Sequence, residues 1–516
     1  MKFPLRSTFI FLFLILSSCT LPTSNTPRAP FVLVTANPSA PPTLTPFQPA
    51  SSNSIPPEAS TLFPTFTALP PTNTPPPTLE FTATTLPSPT SPPPSARTQY
   101  TLYALLDYYG HQLAVDETIK YTNQAGVPLD ELVMAVEPNH RSGFTLENIL
   151  LEGGALDYNL SGHRLTVRLP QALAPNAQAA IAMRFRIVIP PKIKDHPYGY
   201  DVDQVNLTDW YPFIVPYSSG WVLHDEYFLG EHLVYDSADF EVNLRTTEGA
   251  VTIAASGTDQ PNGEWTRYLL SGARTFAVSA SDQFKVVDAT AGGAQIRSYY
   301  YPGYENQGLA ILNAAVRAIG LFETQFAAFP YASLSIVQAD LNDGQEYDSL
   351  IFLATKFYNE YNDSARSNLV AIGVHEISHQ WWFGLVGSDQ ALEPWLDEAL
   401  CVYSENIYYE YIHANYGDWW WNFRVNYFNP SGWVDTSIYD GGTFRVYTNA
   451  AYLTGAYFIE DLRVRMGDRD FYNFLKDYAA RFSYDLATGD DFFTVARENT
   501  SANIDDLIGS YFKGSY

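Results

Sequence analysis

The chain has 516 residues, 46% hydrophobic and only 16% charged, with Tyr 36, Phe 32 and Trp 10. Its formal charge of −26 excludes a nucleic-acid binder, which neutralises phosphates with Lys and Arg, and a polybasic membrane-surface protein. Two cysteines, Cys19 and Cys401, exclude a disulfide scaffold and a Cys-rich zinc finger.

Residues 1–18 read as a lipoprotein signal peptide. Lys2 and Arg6 make a basic start. The apolar run from Phe9 to Leu16 is too short to span a bilayer, which takes about 20 residues. It ends Leu16-Ser17-Ser18-Cys19, which resembles a bacterial lipobox, so lipidation of Cys19 is expected. Cys401 is then left without an intramolecular partner. Residues 19–97 hold 21 of the 36 prolines, mixed with Thr and Ser. Proline fixes φ and removes backbone donors, so a disordered, extended linker is expected there, holding the globular body away from the membrane.

Residues 98–300 read as an N-terminal, antiparallel, β-sandwich-like domain. Short alternating, β-branched or aromatic segments at 100–107, 113–122, 132–136, 163–169, 179–189, 240–245, 251–255, 267–270 and 275–279 are separated by Gly, Asn, Asp and Pro. Near residue 300 the period changes. Apolar residues recur at helical spacing over 309–326, 367–386, 392–411, 450–466 and 471–482, with a strand-like pair at 334–339 and 349–353. Residues 301–516 are therefore expected to be mainly α with a small sheet.

The chemistry is concentrated in His375-Glu376-Ile377-Ser378-His379. Helix positions i and i+4 share one face about 6 Å apart, so both imidazoles can reach one metal ion. Glu376 is placed to touch a water beside that ion rather than the ion itself. Zinc is the expected metal, one per chain. The flanks Ile372, Val374, Trp381, Trp382 and Phe383 bury the helix, and buried ring nitrogens need partners. Glu398, nineteen residues after His379 on the next expected helix, is available as the third ligand. Two His and one Glu leave a coordination position open, as catalytic sites do.

HExxH, eighteen residues, then Glu is the signature of the aminopeptidase N family of zinc metallopeptidases, gluzincins that include leukotriene hydrolase. HQWW (379–382) and WLDEA (395–399) fit it, as do segments 121–139, 239–246, 255–258 and 326–338. The chain resembles that family over roughly 98–516, which implies a thermolysin-like catalytic domain. The family's substrate loop, Gly-x-Met-Glu-Asn or Gly-Gly-Met-Glu-Tyr, maps onto Asp343-Gly344-Gln345-Glu346-Tyr347. This implies that Gly344 and Glu346 belong to the substrate site, with Glu346 holding the free α-amino group and so setting the register of the scissile bond. Asp343 and Gln345 depart from the pattern. Tyr452-Leu453-Thr454-Gly455-Ala456, followed by Leu462-Arg463, matches the family stretch whose Tyr stabilises the oxyanion. Thr454 replaces the usual Lys, and Tyr447 is a nearby competitor.

The resemblance implies a zinc aminopeptidase acting on peptides with a free N-terminus, and the lipobox-like Cys19 segment adds the expectation that it is extracytoplasmic and lipid-anchored to a bacterial cell membrane. Two alternatives remain: an endopeptidase or other hydrolase of the same fold with an open cleft, and a non-catalytic peptide-binding lipoprotein. An open cleft is expected because only 64 residues follow Tyr452, without room for the helical C-terminal domain of other members. The family's upstream Gln or Glu for amine recognition cannot be mapped, although 210–213 lies in roughly the right place. Trp419–Trp421 either line a substrate pocket or pack a core. Cys401 reads as a buried spacer, and His413 and the six β-domain histidines lack metal spacing.

Overall fold

The computed structural model describes residues 97–516 apart from 142, 194, 195 and 441. The expected signal peptide, Cys19 and the linker up to residue 96 lie outside the described residues. Among the described residues no helix is long and apolar enough to cross a membrane.

From Thr98 to Tyr300 the elements are strands, apart from one helical turn at Glu137–His140. Eight strands form the largest sheet, in the spatial order Thr258–Asn262, Trp265–Ala273, Ala238–Thr246, Thr98–Asp107, Gln112–Thr122, Gln178–Val188, Phe144–Leu151 and Gly154–Ala155. Thr98–Asp107 pairs parallel with Ala238–Thr246, and the other neighbours run antiparallel. Alternation sets its faces: in Gln112–Thr122, Leu113, Val115 and Ile119 are buried while Gln112, Asp116 and Lys120 are exposed. Two four-stranded sheets complete this half, and their Leu132, Val133, Leu165 and Val167 join the same core.

The boundary expected at residue 300 falls inside a fourth sheet. The hairpin Lys285–Ala291 and Ala294–Tyr300 forms one edge of a five-stranded sheet that continues through Ser333–Ala339 and Leu350–Ala354 to Gly344–Tyr347 at the other edge. Ala294–Tyr300 runs parallel to Ser333–Ala339, and the helix Glu305–Gln325 supplies the crossover that a parallel pair requires. Strand composition does not reveal which sheet a strand joins; here the crossover decides it.

The helical part packs against this sheet. Helices Asn368–Ser378 and Trp395–Ile412 carry the expected ligands. The first is shorter than the expected 367–386: it ends at Ser378, with His379 still helical at the cap (φ −61°, ψ −16°). Phe383 then adopts φ 142°, and the chain folds back on itself. Trp381, fully buried, packs its ring 5.5 Å from Phe322 and 5.4 Å from Phe329, which clamps this turn to the crossover helix. The expected helix 450–466 starts with a π-helical turn, Asn449–Thr454, before the α-helix Gly455–Met466.

Candidate active site

Each ligand candidate is aimed by a partner on its far side. His375 Nδ1 donates to Glu405 Oε1 at 3.1 Å, and His379 Nδ1 donates to the Trp382 carbonyl at 3.1 Å. With Nδ1 committed to an acceptor in both rings, each Nε2 presents a lone pair. Those two Nε2 atoms are 3.2 Å apart, and Glu398 Oε2 stands 3.2 Å from one and 3.7 Å from the other. Three acceptors facing each other in a buried space repel unless a cation lies among them. Ligand atoms around a tetrahedral zinc with bonds of roughly 2.0–2.1 Å stand roughly 3.3 Å apart. The triangle fits that ion.

The electrostatics agree. Burial pushes the His379 imidazolium down to about 4, so a proton does not settle on that ring at neutral pH. Burial also opposes a charged His375, but Glu398 and Glu405 raise it to about 10: the site demands positive charge. Burial presses Glu398 upward, yet His375, His379 and Tyr452 hold its carboxyl below the ordinary value.

Glu376 lies beside this triangle with Oε2 buried and without a hydrogen-bond partner. Burial first, then Glu398, Asp343 and Glu231, raise its pKa well above normal despite the opposing His375 charge. Gly344 touches it: a β-carbon at 344 would overlap the Glu376 carboxylate. In the edge strand Gly344–Tyr347, residues two apart share a face, so Glu346 points the same way as Gly344. Its Oε1 accepts from Gln390 Nε2 at 3.3 Å and its Oε2 from Gln345 Nε2 at 2.9 Å.

Tyr452 donates its hydroxyl to Glu398 Oε1 at 2.8 Å, which places it at the triangle. Burial and then Glu398 push its pKa well up, so it keeps its proton. The competitor Tyr447 stacks edge-on at 5.7 Å behind it and faces Gly230.

The structure adds residues that sequence reasoning missed. Glu231, from the β-rich half, brings a carboxylate oxygen within 4.8 Å of Glu346 and Glu398 oxygens and accepts from Gln345 Nε2 at 3.3 Å. Burial and then Glu398 raise its pKa. Glu405 is held by Arg424, with Nε to Oε2 at 2.6 Å and Nη2 to Oε1, and by Trp420 Nε1 at 3.0 Å. Trp420 is thus a core residue, and Trp421 stacks on Tyr457. Cys401 is a buried free cysteine, as expected.

A second His/Glu group lies in the β-rich half: Glu137, His163 and His232. There Glu137 Oε1 accepts from His163 Nδ1 at 2.7 Å, and its other oxygen is 3.6 Å from His232 Nε2. A 2.7 Å approach is a charge-assisted hydrogen bond, shorter than the spacing of two ligands on one ion. This triad anchors the residue that follows Glu231. Its members are far apart in sequence, which left no spacing to read.

Comparison with known proteins follows the same lines. The family pattern described as "Peptidase family M1 domain" matches residues 310–511. Aminopeptidase M1-B of Oryza sativa subsp. japonica is 27% identical over 243 residues, covering 44% of this chain and 27% of that protein. Endoplasmic reticulum aminopeptidase 1 of Mus musculus is 24% identical over 226 residues, covering 41% of this chain and 24% of that protein. The chain thus spans about a quarter of the length of the curated relatives it matches. An M1 zinc metallopeptidase from Deinococcus radiodurans shares the fold with a TM-score of 0.61 at 16% identity, over 82% of this chain and 94% of that one.

Proposed function

We propose that the chain, whose residues 310–511 match the peptidase family M1 pattern, is a zinc-dependent aminopeptidase of that family that removes N-terminal residues from extracytoplasmic peptides. The observation that carries this reading is the crowd of carboxylates next to the metal triangle. Glu231 and Glu346 lie within 4.8 Å of Glu398, close enough for one α-ammonium to satisfy them while the first peptide carbonyl reaches the ion.

His375, His379 and Glu398 would hold the zinc. When bound there, zinc supplies Lewis-acid polarisation of a carbonyl and lowers the pKa of water in its remaining coordination position. Glu376 accepts the proton of the attacking water on its unpartnered Oε2 and returns it to the leaving amine, as general base and then acid. Tyr452 turns its hydroxyl from Glu398 toward the developing oxyanion. Glu346 and Glu231 fix the ammonium and hence the scissile bond. Binding alone needs neither Glu376 nor Tyr452, which weighs against a non-catalytic scaffold.

The test uses the zinc-loaded chain with a free-amine peptide pool and an N-acetylated twin, read by mass spectrometry. Loss of single N-terminal residues from the free pool alone is expected. Cleavage of the acetylated pool would overturn the exopeptidase reading in favour of an open-cleft endopeptidase. Acylation at Cys19 would tether the enzyme to the cell membrane. Incorporation of a labelled fatty acid that is lost in Cys19→Ser is the expected result.

A further inference from the structure

Building on the zinc reading above, we propose that Arg274, a residue of the β-rich half, is a positioning residue for the metal site: its guanidinium fixes the turn whose carbonyl orients His379.

Arg274 is 3% exposed. Its Nε donates to the Phe383 carbonyl at 2.7 Å, Nη1 to that of Tyr235 at 2.9 Å, and Nη2 to those of Asp485 at 2.6 Å and Leu385 at 3.5 Å. Taking a guanidinium out of water is costly unless its donors are satisfied, so a guanidinium spent on backbone carbonyls calls for a reason. Two of the four carbonyls belong to the turn that follows the HExxH helix.

That turn is strained. Phe383 has φ 142°, a region essentially reserved for glycine, which a side-chain-bearing residue keeps only where the surroundings over-determine it. Here they do. Phe383 N donates to Val386 O at 2.9 Å, Gly384 N to His379 O at 2.8 Å and Val386 N to Trp381 O at 2.9 Å, and Arg274 holds the Phe383 carbonyl itself. The unusual φ rotates the preceding peptide plane, so the Trp382 carbonyl faces back to His379 Nδ1 at 3.1 Å. Were Phe383 to relax to a negative φ, that carbonyl would swing away. His379 would then lose the acceptor that fixes its tautomer and aims Nε2 at the triangle. Gly387 leaves room for the device: a β-carbon there would overlap the Arg274 guanidinium.

Arg274 also carries a second, separable grip. Its backbone N–H donates to Asp348 Oδ2 at 2.9 Å, beside Thr275 N at 2.7 Å and Thr275 Oγ1 at 2.8 Å. That grip is made by the main chain rather than by the guanidinium; it acts on the strand end next to Glu346, and the other oxygen of Asp348 lies against Gly384 of the turn.

The experiment measures zinc affinity by chelator competition, and zinc release into excess chelator, on the full chain at a temperature where each variant is folded. Arg274→Lys and Arg274→Met are expected to bind zinc roughly 10–100-fold more weakly, with faster release and a KM for free-amine peptides unchanged within about twofold at saturating zinc. Gly387→Ala, which keeps the arginine but displaces its guanidinium, is expected to do the same. It preserves the test if the arginine variants do not fold. The double variant Arg274→Lys/Gly387→Ala is expected to be no weaker than the worse single, because both remove one grip. Thr275→Val, which leaves the guanidinium grip in place, is expected to lower the melting temperature with a smaller loss of zinc affinity than Arg274→Lys, which separates positioning from bulk stability. Wild-type zinc affinity and release in folded Arg274→Lys and Gly387→Ala would overturn the inference while the zinc reading stands. A wild-type chain that holds no zinc, or a His379→Ala variant that holds it as tightly, would sink the zinc reading and the inference with it.

Discussion

Glu405 Oε1 stands 3.1 Å from His375 Nδ1, and the same carboxylate receives the fork of a fully buried Arg424. Glu405 follows Glu398 by seven residues, two turns along one helix face, so a single helix provides a ligand and the orienter of another ligand. Glu405→Gln keeps one acceptor but opposes an amide to the guanidinium. We expect roughly 10–100-fold weaker zinc binding in chelator competition. Breaking a buried ion pair should also cost about 3–5 kcal/mol in urea melts. Unchanged affinity in the folded variant would leave Glu405 a purely structural role.

Gly344 and Glu376 make contact that no other residue type allows at 344. Gly344→Ala must push the Glu376 carboxylate aside while leaving the three ligands where they are. A misplacement of about 1 Å in a catalytic group costs roughly 100-fold in rate. The expected outcome is kcat down by about that factor, with metal content by elemental analysis still at one zinc per chain. Loss of zinc instead would place Gly344 in support of the metal site.

Glu231 and Glu346 come from different halves of the molecule and share one ammonium in the proposed complex. A hydrogen bond to a charged group is worth about 1.5–3 kcal/mol, so Glu346→Gln should lower kcat/KM for free-amine peptides by roughly 10–100-fold. Glu231→Gln should act in the same direction. The double variant should lose less than the product of the singles, since both carboxylates serve one ligand. Steady-state kinetics on free-amine and N-acetylated peptides check this; equal losses on both would detach these residues from amine recognition.

The metal triangle was legible because its members lie on two consecutive helices, where period and spacing fix geometry. His375, His379 and Glu398 needed only that rule, whereas Glu346 and Tyr452 needed the family resemblance. The end of the HExxH helix was not legible. Trp381, Trp382 and Phe383 continue the apolar pattern, and the helix stops because tertiary hydrogen bonds impose a positive φ on Phe383. Glu231 was out of reach for a related reason: it enters the site from a loop of the β-rich half, where no period ties it to the helices. Glu405 was readable in principle, seven residues after Glu398, but its partner Arg424 sits in a π-helical turn with no motif around it. The boundary at 300 followed a real change of period, while the hairpin Lys285–Tyr300 pairs across it.

Glu117 offers a pH prediction far from the metal. It lies on Gln112–Thr122 opposite Leu102 and Met183, is 1% exposed, and neither carboxylate oxygen has a hydrogen-bond partner. Burial raises its pKa well above the ordinary value. Below pH of about 4 the carboxyl is protonated in the folded and unfolded chain alike, and its ionisation costs nothing. As pH rises, the unfolded chain releases the proton while the folded protein retains it, so stability falls until the raised folded pKa is passed. Glu137 has the opposite sign. Its carboxyl is pressed up by burial but held lower still by His163 and His232, so its contribution is present above the ordinary carboxylate pKa and is lost on acidification. Comparing variant with wild type at each pH isolates Glu117. Glu117→Met removes a buried unsatisfied group worth about 1–3 kcal/mol. The variant should be more stable by that amount in denaturant melts at pH 7.5, with the gap narrowing toward pH 4. A gap that does not change with pH would assign the gain to packing rather than to the retained proton.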